Sequence, residues 1–125
     1  MLLGIDMGSK RVGLAVSNEE GTMAFPLPVV VNNKDLLGAI ISIMKERDIS
    51  EVVLGESKSL SGQENPIMAE ITVLKKALEE KGITVYFEPE FLTTIQASRL
   101  QGRVKELDSS AAALILKSYL DKQKQ

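Results

Sequence analysis

The stretch that decides the fold is residues 2–17, which read Leu2-Leu3-Gly4-Ile5-Asp6-Met7-Gly8-Ser9-Lys10-Arg11-Val12-Gly13-Leu14-Ala15-Val16-Ser17. Two apolar runs, residues 2–6 and 12–17, flank a polar turn that contains glycine, and this pattern predicts two strands joined as a hairpin. The first run closes on an acid, Asp6. A carboxylate that ends a buried strand is a candidate functional group.

A third extended segment, Met23 to Val31, follows the next polar turn. Its Pro26 and Pro28 are typical of an edge strand, since proline cannot donate a hydrogen bond to a neighbouring strand. The three segments therefore predict an antiparallel meander.

After Val31 the spacing of apolar residues changes, and it predicts helices that alternate with strands. The predicted elements are a helix from about Leu36 with Asn33 as N-cap, a strand at Glu51–Glu56, a helix from Asn65-Pro66 to about Lys81, a strand at Ile83–Phe87, and helices opening at Thr93 and Asp108. The order β-β-β-α-β-α-β-α-α predicts one α/β domain over residues 1–125. Right-handed crossovers would give it a mixed sheet with helices on both faces.

The chain contains no histidine and no cysteine. An imidazole base, a thiolate nucleophile and a zinc site built from either are therefore excluded. Carboxylates, hydroxyls, lysines and arginines remain, together with a cation held by oxygen ligands. Mg²⁺ or Mn²⁺ fits that ligand set.

The composition is that of a globular domain, with 44% hydrophobic and 26% charged residues and a net charge of −2. Two bound divalent cations would change this charge to +2, so an acidic chain could still meet phosphates. No stretch approaches the roughly 18 apolar residues of a membrane span. With no secretory signature, we expect a soluble, cytoplasmic protein without a membrane partner.

Four acids lie where strands end or a helix begins, namely Asp6, Glu56, Glu90 and Asp108. The three strands they follow should be parallel, so their carboxyl ends share one edge of the sheet, where α/β folds bind ligands. We expect these acids to be catalytic, with Asp6, Glu56 and Asp108 holding one or two cations and Glu90 at the rim. The plainer alternatives are an Asx-turn acid at Asp6, a helix N-cap at Asp108 and solvated acids elsewhere.

The turn Gly8-Ser9-Lys10-Arg11 is a candidate contact for substrate phosphate, because it offers backbone N–H groups and two cations. Lys58, in the polar loop after Glu56, is a further candidate. Aromatic residues make up only 4% of the chain, which argues against a platform for stacking bases.

The segment from Gly4 to Ala15 resembles the opening motif of the YqgF/RuvX family, which are ribonuclease H-like nucleases related to the resolvase RuvC. Leu92-Thr93-Thr94 and the segment from Asp108 to Leu116 resemble two later motifs of this family, in the same order. The resemblance implies a five-stranded sheet in the order 3-2-1-4-5. It also implies metal-dependent hydrolysis of phosphodiester bonds at the 5′ end of pre-16S ribosomal RNA, or resolution of Holliday junctions.

Two departures from the family pattern lie at candidate site residues. The family usually reads Gly-Leu-Pro where this chain has Gly55-Glu56-Ser57, and the added carboxylate is of the kind that RuvC-type sites use. The family usually reads Asp-Glu-Arg where this chain has Pro89-Glu90-Phe91. The glutamate is kept, while an acid and an arginine that could contact phosphate are lost.

Two other classes of function compete with the nuclease. Actin-like ATPases also begin with Asp-x-Gly, but they need a second such motif and a second lobe, and 125 residues cannot hold both. A catalytically silent nucleic-acid-binding module could share the fold, although four acids argue against it. The sequence leaves open RNA or branched DNA as substrate, endonuclease or exonuclease action, and a monomer or a weak homodimer.

Overall fold

The computed structural model describes residues 1–8, 10–56, 66–89 and 110–123. Over these residues the strands are β1 (Leu2–Met7), β2 (Arg11–Ser17), β3 (Ala24–Val31), β4 (Glu51–Glu56) and β5 (Thr84–Pro89), and the helices are α1 (Leu36–Arg47), α2 (Pro66–Glu80) and α3 (Ser110–Gln123). The helix expected from Thr93 lies outside the described residues. None of the helices described is long and apolar enough to cross a membrane.

The five strands form one mixed sheet in the order β3-β2-β1-β4-β5, as predicted. β1 pairs antiparallel with β2 and parallel with β4, and β4 pairs parallel with β5. The proline-containing β3 is an edge strand, which also confirms the prediction. β1 is therefore central, and both of its edges are paired.

Helices cover both faces of the sheet, as expected. One face carries the larger core, in which Leu3 and Ile5 of β1 are fully buried against α1 and α2. The other face packs Ala15 and Val53 against α3. The alternation of buried side chains along β1 and β4 to opposite faces is the two-residue period of a strand.

The predicted N-cap of α1 is wrong. The cap is Asp35 and not Asn33. The side-chain oxygen of Asn33 accepts the backbone N–H of Asp35 at 2.9 Å, which makes a local turn two residues before the helix. Pro66 begins α2 as expected, because proline lacks only an N–H that the first helical turn leaves unpaired.

Helices α1 and α2 end in the same way with different residues. At the end of α1, Asp48 is left-handed (φ 56°), and Ile49 donates to the carbonyl of Met44 at 2.8 Å. At the end of α2, Gly82 is left-handed (φ 83°), and Ile83 donates to the carbonyl of Leu78 at 3.1 Å. Glycine has no Cβ to strain this conformation, whereas aspartate does.

These two helix ends give opposite predictions for the free energy of unfolding. Asp48→Gly should raise it by about 0.5 kcal/mol because a strained residue is replaced. Gly82→Ala should lower it by about 1 kcal/mol because a Cβ is forced into the left-handed region. Urea denaturation of both variants checks this pair, and equal shifts of the same sign would contradict it.

Candidate functional site

Asp6 is the penultimate residue of the central strand β1. Its neighbour Ile5 is fully buried, while Asp6 itself is half-buried, so the strand leaves the core at this residue. Asp6 pairs with Gly13 of β2. Because the strand is paired on both sides, the backbone holds this carboxylate at a fixed place on the sheet edge.

The carboxyl ends of β4 and β5 lie at the same edge as Asp6. Ile5 pairs in parallel with Leu54, so Asp6 and Glu56 both follow within two residues of that pair. Glu56 pairs in turn with Pro89, the last residue of β5. Neighbouring strands are about 4.8 Å apart, so the backbones of Asp6 and Glu56 are close.

Helix α3 begins at this edge and runs towards the opposite one. Near its start, the carbonyl of Ala112 lies 3.1 Å from where a Cβ on Gly4 would be, and the Cβ of Leu116 lies 2.8 Å from that point. Near its end, Leu120 lies by Gly21 in the β2–β3 turn. The N-terminal turn of α3 therefore covers β1 beside Asp6.

The turn between β1 and β2 is tied to the end of β3. The side-chain amide of Asn32 donates to the carbonyl of Gly8 at 2.7 Å. Its backbone N–H donates to the carbonyl of Lys10 at 2.9 Å. Lys10 and Arg11 are exposed next to these bonds, so two cations stand on a braced turn beside Asp6.

A buried carboxylate links β5 to α3. Glu88 is only 2% exposed, and it accepts hydrogen bonds from the hydroxyl of Ser118 at 2.8 Å and from the ammonium of Lys122 at 2.7 Å. A buried charge is tolerated when it is paired and hydrogen-bonded in this way. The contact fixes the C-terminal half of α3 against the last strand of the sheet.

Two tyrosines, one on β5 and one on α3, have a raised pKa. A hydrogen bond from the Tyr86 hydroxyl to the Glu51 carboxylate, at 2.7 Å, raises the pKa of Tyr86 above its ordinary value. Burial is the main cause that raises the pKa of Tyr119, whose ring packs on Tyr86. Glu51 begins β4, so this pair lies away from the edge that carries Asp6 and stabilises the packing of α3.

The structure brings together part of the predicted site. Asp6, Gly8, Lys10 and Arg11 lie at the expected edge, and the backbone of Glu56 ends the neighbouring strand. The other predicted residues, Ser9, Lys58, Glu90 and Asp108, lie outside the described residues. Over the part of the chain that is described, no three acids form a group that could hold a metal. The four-acid cluster therefore stays a prediction.

Two residues that shape this edge were missed by sequence reasoning. Gly4 permits the close approach of α3, and its signal was a glycine inside a buried strand, which often marks another backbone nearby. Asn32 braces the turn that carries Lys10. Its role had no sequence signal, because it bonds across 24 positions of the chain.

Comparison with known proteins decides the family. Residues 1–122 match the family RuvX, described as Holliday junction resolvase. The chain belongs to the RuvX family. A relative from Oenococcus oeni, named "Putative pre-16S rRNA nuclease", is 36% identical and is aligned over 97% of this chain and 94% of its own length. A relative of the same name from Anaplasma marginale is 35% identical and is aligned over 96% of this chain and 83% of its own length.

Solved structures of resolvases share the fold of this RuvX chain. Thermus thermophilus RuvC, in complex with Holliday junction substrate, superposes with a TM-score of 0.61 at 18% identity, covering 98% of this chain and 94% of its own. Fowlpox virus resolvase superposes with a TM-score of 0.60 at 13% identity, and the match covers 98% of this chain and 99% of the resolvase chain. The ribonuclease H-like sheet expected from the resemblance is confirmed. Membership of the RuvX family sets the actin-like alternative aside.

The close contact at Gly4 gives a stability prediction for this RuvX protein. Gly4→Ala should lower the free energy of unfolding by about 1–3 kcal/mol, because its Cβ would meet both a side chain and the backbone of α3. Gly38→Ala is the matched control. No atom lies within 4 Å of its added Cβ, so helix propensity should raise stability by up to about 1 kcal/mol. Urea denaturation measures both, and a Gly4→Ala chain as stable as wild type would contradict the packing.

Proposed function

We propose that this RuvX protein is a metal-dependent nuclease that hydrolyses phosphodiester bonds in structured nucleic acid. The observation that carries the proposal is the position of Asp6, a half-buried carboxylate at the end of the central strand in a chain of this family. The names of the relatives favour the 5′ end of pre-16S ribosomal RNA as substrate. The family description favours a four-way DNA junction as the alternative.

The donor set fits a hard divalent cation. The chain offers carboxylate oxygens and has no histidine or cysteine, so Mg²⁺ or Mn²⁺ suits it better than zinc. We propose that Asp6, Glu56 and Asp108 hold the cation, with Glu90 at the rim. When bound, such an ion supplies a water of lowered pKa and neutralises charge on the leaving oxygen.

Chain geometry supports the inclusion of Asp108. Its Cα can lie at most about 7 Å from the Cα of Ser110, two residues away, where α3 begins. The N-terminal turn of α3 covers β1 beside Asp6, as the contact at Gly4 requires. We therefore propose that Asp108 acts at the same edge as Asp6 and Glu56.

The protein's own side chains would orient the substrate. Lys10 and Arg11 stand exposed on the turn that Asn32 braces, so they can contact a phosphate without a large loss of order in the backbone. We propose that Gly8, Ser9 and Lys58 contribute further phosphate contacts. A cytoplasmic location and a monomer or weak homodimer remain predictions.

The central test is cleavage of a pre-16S ribosomal RNA fragment and of a four-way DNA junction by the purified protein. Cleavage should stop in EDTA and return with Mg²⁺ or Mn²⁺, and Ca²⁺ should support it poorly because its coordination is looser. Asp6→Asn should abolish cleavage and weaken Mn²⁺ binding in titration calorimetry, while its nearly equal volume preserves the fold.

Asp48→Asn is the matched control, since it removes the same charge from the far end of α1, and asparagine tolerates the left-handed region. It should leave cleavage and Mn²⁺ affinity unchanged. Cleavage that survives both chelation and Asp6→Asn would refute the metal site. Metal binding without cleavage of either substrate would favour the silent module.

The phosphate contacts are tested by charge removal. Lys10→Ala with Arg11→Ala should weaken binding of the substrate, and the slope of log affinity against log salt should fall by about two, because about one counterion is released per phosphate contact. Lys45→Ala with Arg47→Ala removes the same charge from the last turn of α1. Equal slopes for the two double variants, measured by fluorescence anisotropy, would exclude a role for the turn.

A further inference from the structure

Glu88 is a buried carboxylate on the same face of the sheet as the side chain of Asp6. A Cβ on Gly4 would meet helix α3, so Asp6, two residues further along β1, is directed to the α3 side of the sheet. Glu88 accepts hydrogen bonds from Ser118 and Lys122 of that helix, so its side chain is directed to the same side. The carboxylates of β1 and β5 therefore share one face.

Only a glycine separates these two acids across the sheet. Ile5 pairs in parallel with Leu54, which brings Gly55 beside Asp6, and Gly55 pairs with Glu88. Since neighbouring strands are about 4.8 Å apart, the backbones of Asp6 and Glu88 are roughly 10 Å apart. Because glycine has no side chain, no side chain of β4 stands between the two carboxylates in this row.

The hydrogen bonds of Glu88 from α3 are gathered on one of its two carboxylate oxygens. The hydroxyl of Ser118 and the ammonium of Lys122 both donate to Oε2, at 2.8 and 2.7 Å. The Lys122 side chain is 51% exposed, whereas the Glu88 side chain is only 3% exposed. The ammonium can therefore turn into water, while the carboxylate is fixed inside the protein.

Stability alone is a poor reason for this ion pair. The cost of taking two charges out of water largely offsets their attraction, and apolar side chains of similar size hold a helix to a strand as well or better. What an apolar pair cannot supply is negative potential on the face of the sheet that carries Asp6. A divalent cation at Asp6 would be attracted by a second buried carboxylate on that face, because charges interact strongly where water is excluded.

We propose that Glu88 supplies negative charge to the cation site at Asp6, and that Lys122 is the counter-ion that balances this charge before a cation binds. The inference rests on the proposed nuclease function and names a further residue of its metal site. Glu88 acts on the cation through space across Gly55, and Asp6 remains the direct ligand. Lys122 lies in the last turn of α3 and can leave Glu88 when a divalent cation balances the charge.

The test is titration calorimetry of Mn²⁺ binding to two variants that break the ion pair from opposite sides. Glu88→Gln removes the negative charge and keeps the size of the side chain, so Mn²⁺ binding should weaken about tenfold. Lys122→Gln removes the positive charge and keeps a hydrogen-bond donor, so binding should tighten about threefold. The second change is the smaller one because solvent screens the half-exposed ammonium. Circular dichroism checks that each variant is folded, so a loss of stability does not enter the affinity.

Glu88→Asp separates the charge of this residue from its packing. The variant keeps the carboxylate, and its shorter side chain loses contact with Ser118 and Lys122. It should bind Mn²⁺ within about twofold of wild type if charge is what matters. A residue that only held α3 in place would show the reverse, since the amide of Glu88→Gln keeps the length that the bond from Ser118 requires.

Lys117→Gln is the matched control for charge on α3. It removes the same charge from the same helix, but from a pair with Asp121 in which both side chains are exposed. Exposed pairs of this kind contribute little, so Mn²⁺ affinity should stay within about twofold of wild type.

The outcomes separate this inference from the proposed function. Opposite shifts for Glu88→Gln and Lys122→Gln support it, whereas shifts of the same sign, or none, show that the pair only attaches α3 to β5. In that case the metal site stands if Asp6→Asn still weakens Mn²⁺ binding. If Lys122→Gln does not fold, tighter binding by Glu88→Asp than by Glu88→Gln supports the inference, and equal or weaker binding overturns it. If the wild type binds no Mn²⁺, both proposals fall.

Discussion

The parallel pairing of β1 with β4 is the constraint on which the site depends. The pair Ile5–Leu54 brings the ends of the two strands to one edge, and their apolar residues bury the larger core. A shift of one residue in this register would move a full set of apolar side chains to the wrong face of the sheet. The hydrophobic core therefore fixes where the backbone of Asp6 lies relative to that of Glu56, and the proposed metal site uses a geometry that folding already requires.

Three contacts then assemble the other parts around that edge. Gly4 lets α3 approach β1 with its N-terminal turn beside Asp6. Glu88 holds the second half of the same helix to β5 through Ser118 and Lys122. Asn32 braces the turn that carries Lys10 and Arg11. Each contact joins segments that are distant in sequence.

Much of the fold was predictable from the sequence, because apolar period and turn residues report local structure directly. The proline residues of β3 correctly marked an edge, and Pro66 correctly marked a helix start. The sheet order needed the family resemblance as well. The N-cap of α1 was misplaced because Asn33 can satisfy a local turn as readily as a helix end, and propensity does not separate the two.

The site was less predictable than the fold. Asp6 could be singled out as a candidate because an acid closing a buried strand has few structural reasons to be there. The role of Asn32 could not be predicted, since it arises from a contact between distant segments. The measurement that tests the account most directly is the anomalous diffraction of crystals soaked in Mn²⁺. The account predicts manganese bound by carboxylate oxygens of Asp6 and Glu56, and manganese absent from Asp6 but bound elsewhere would contradict it.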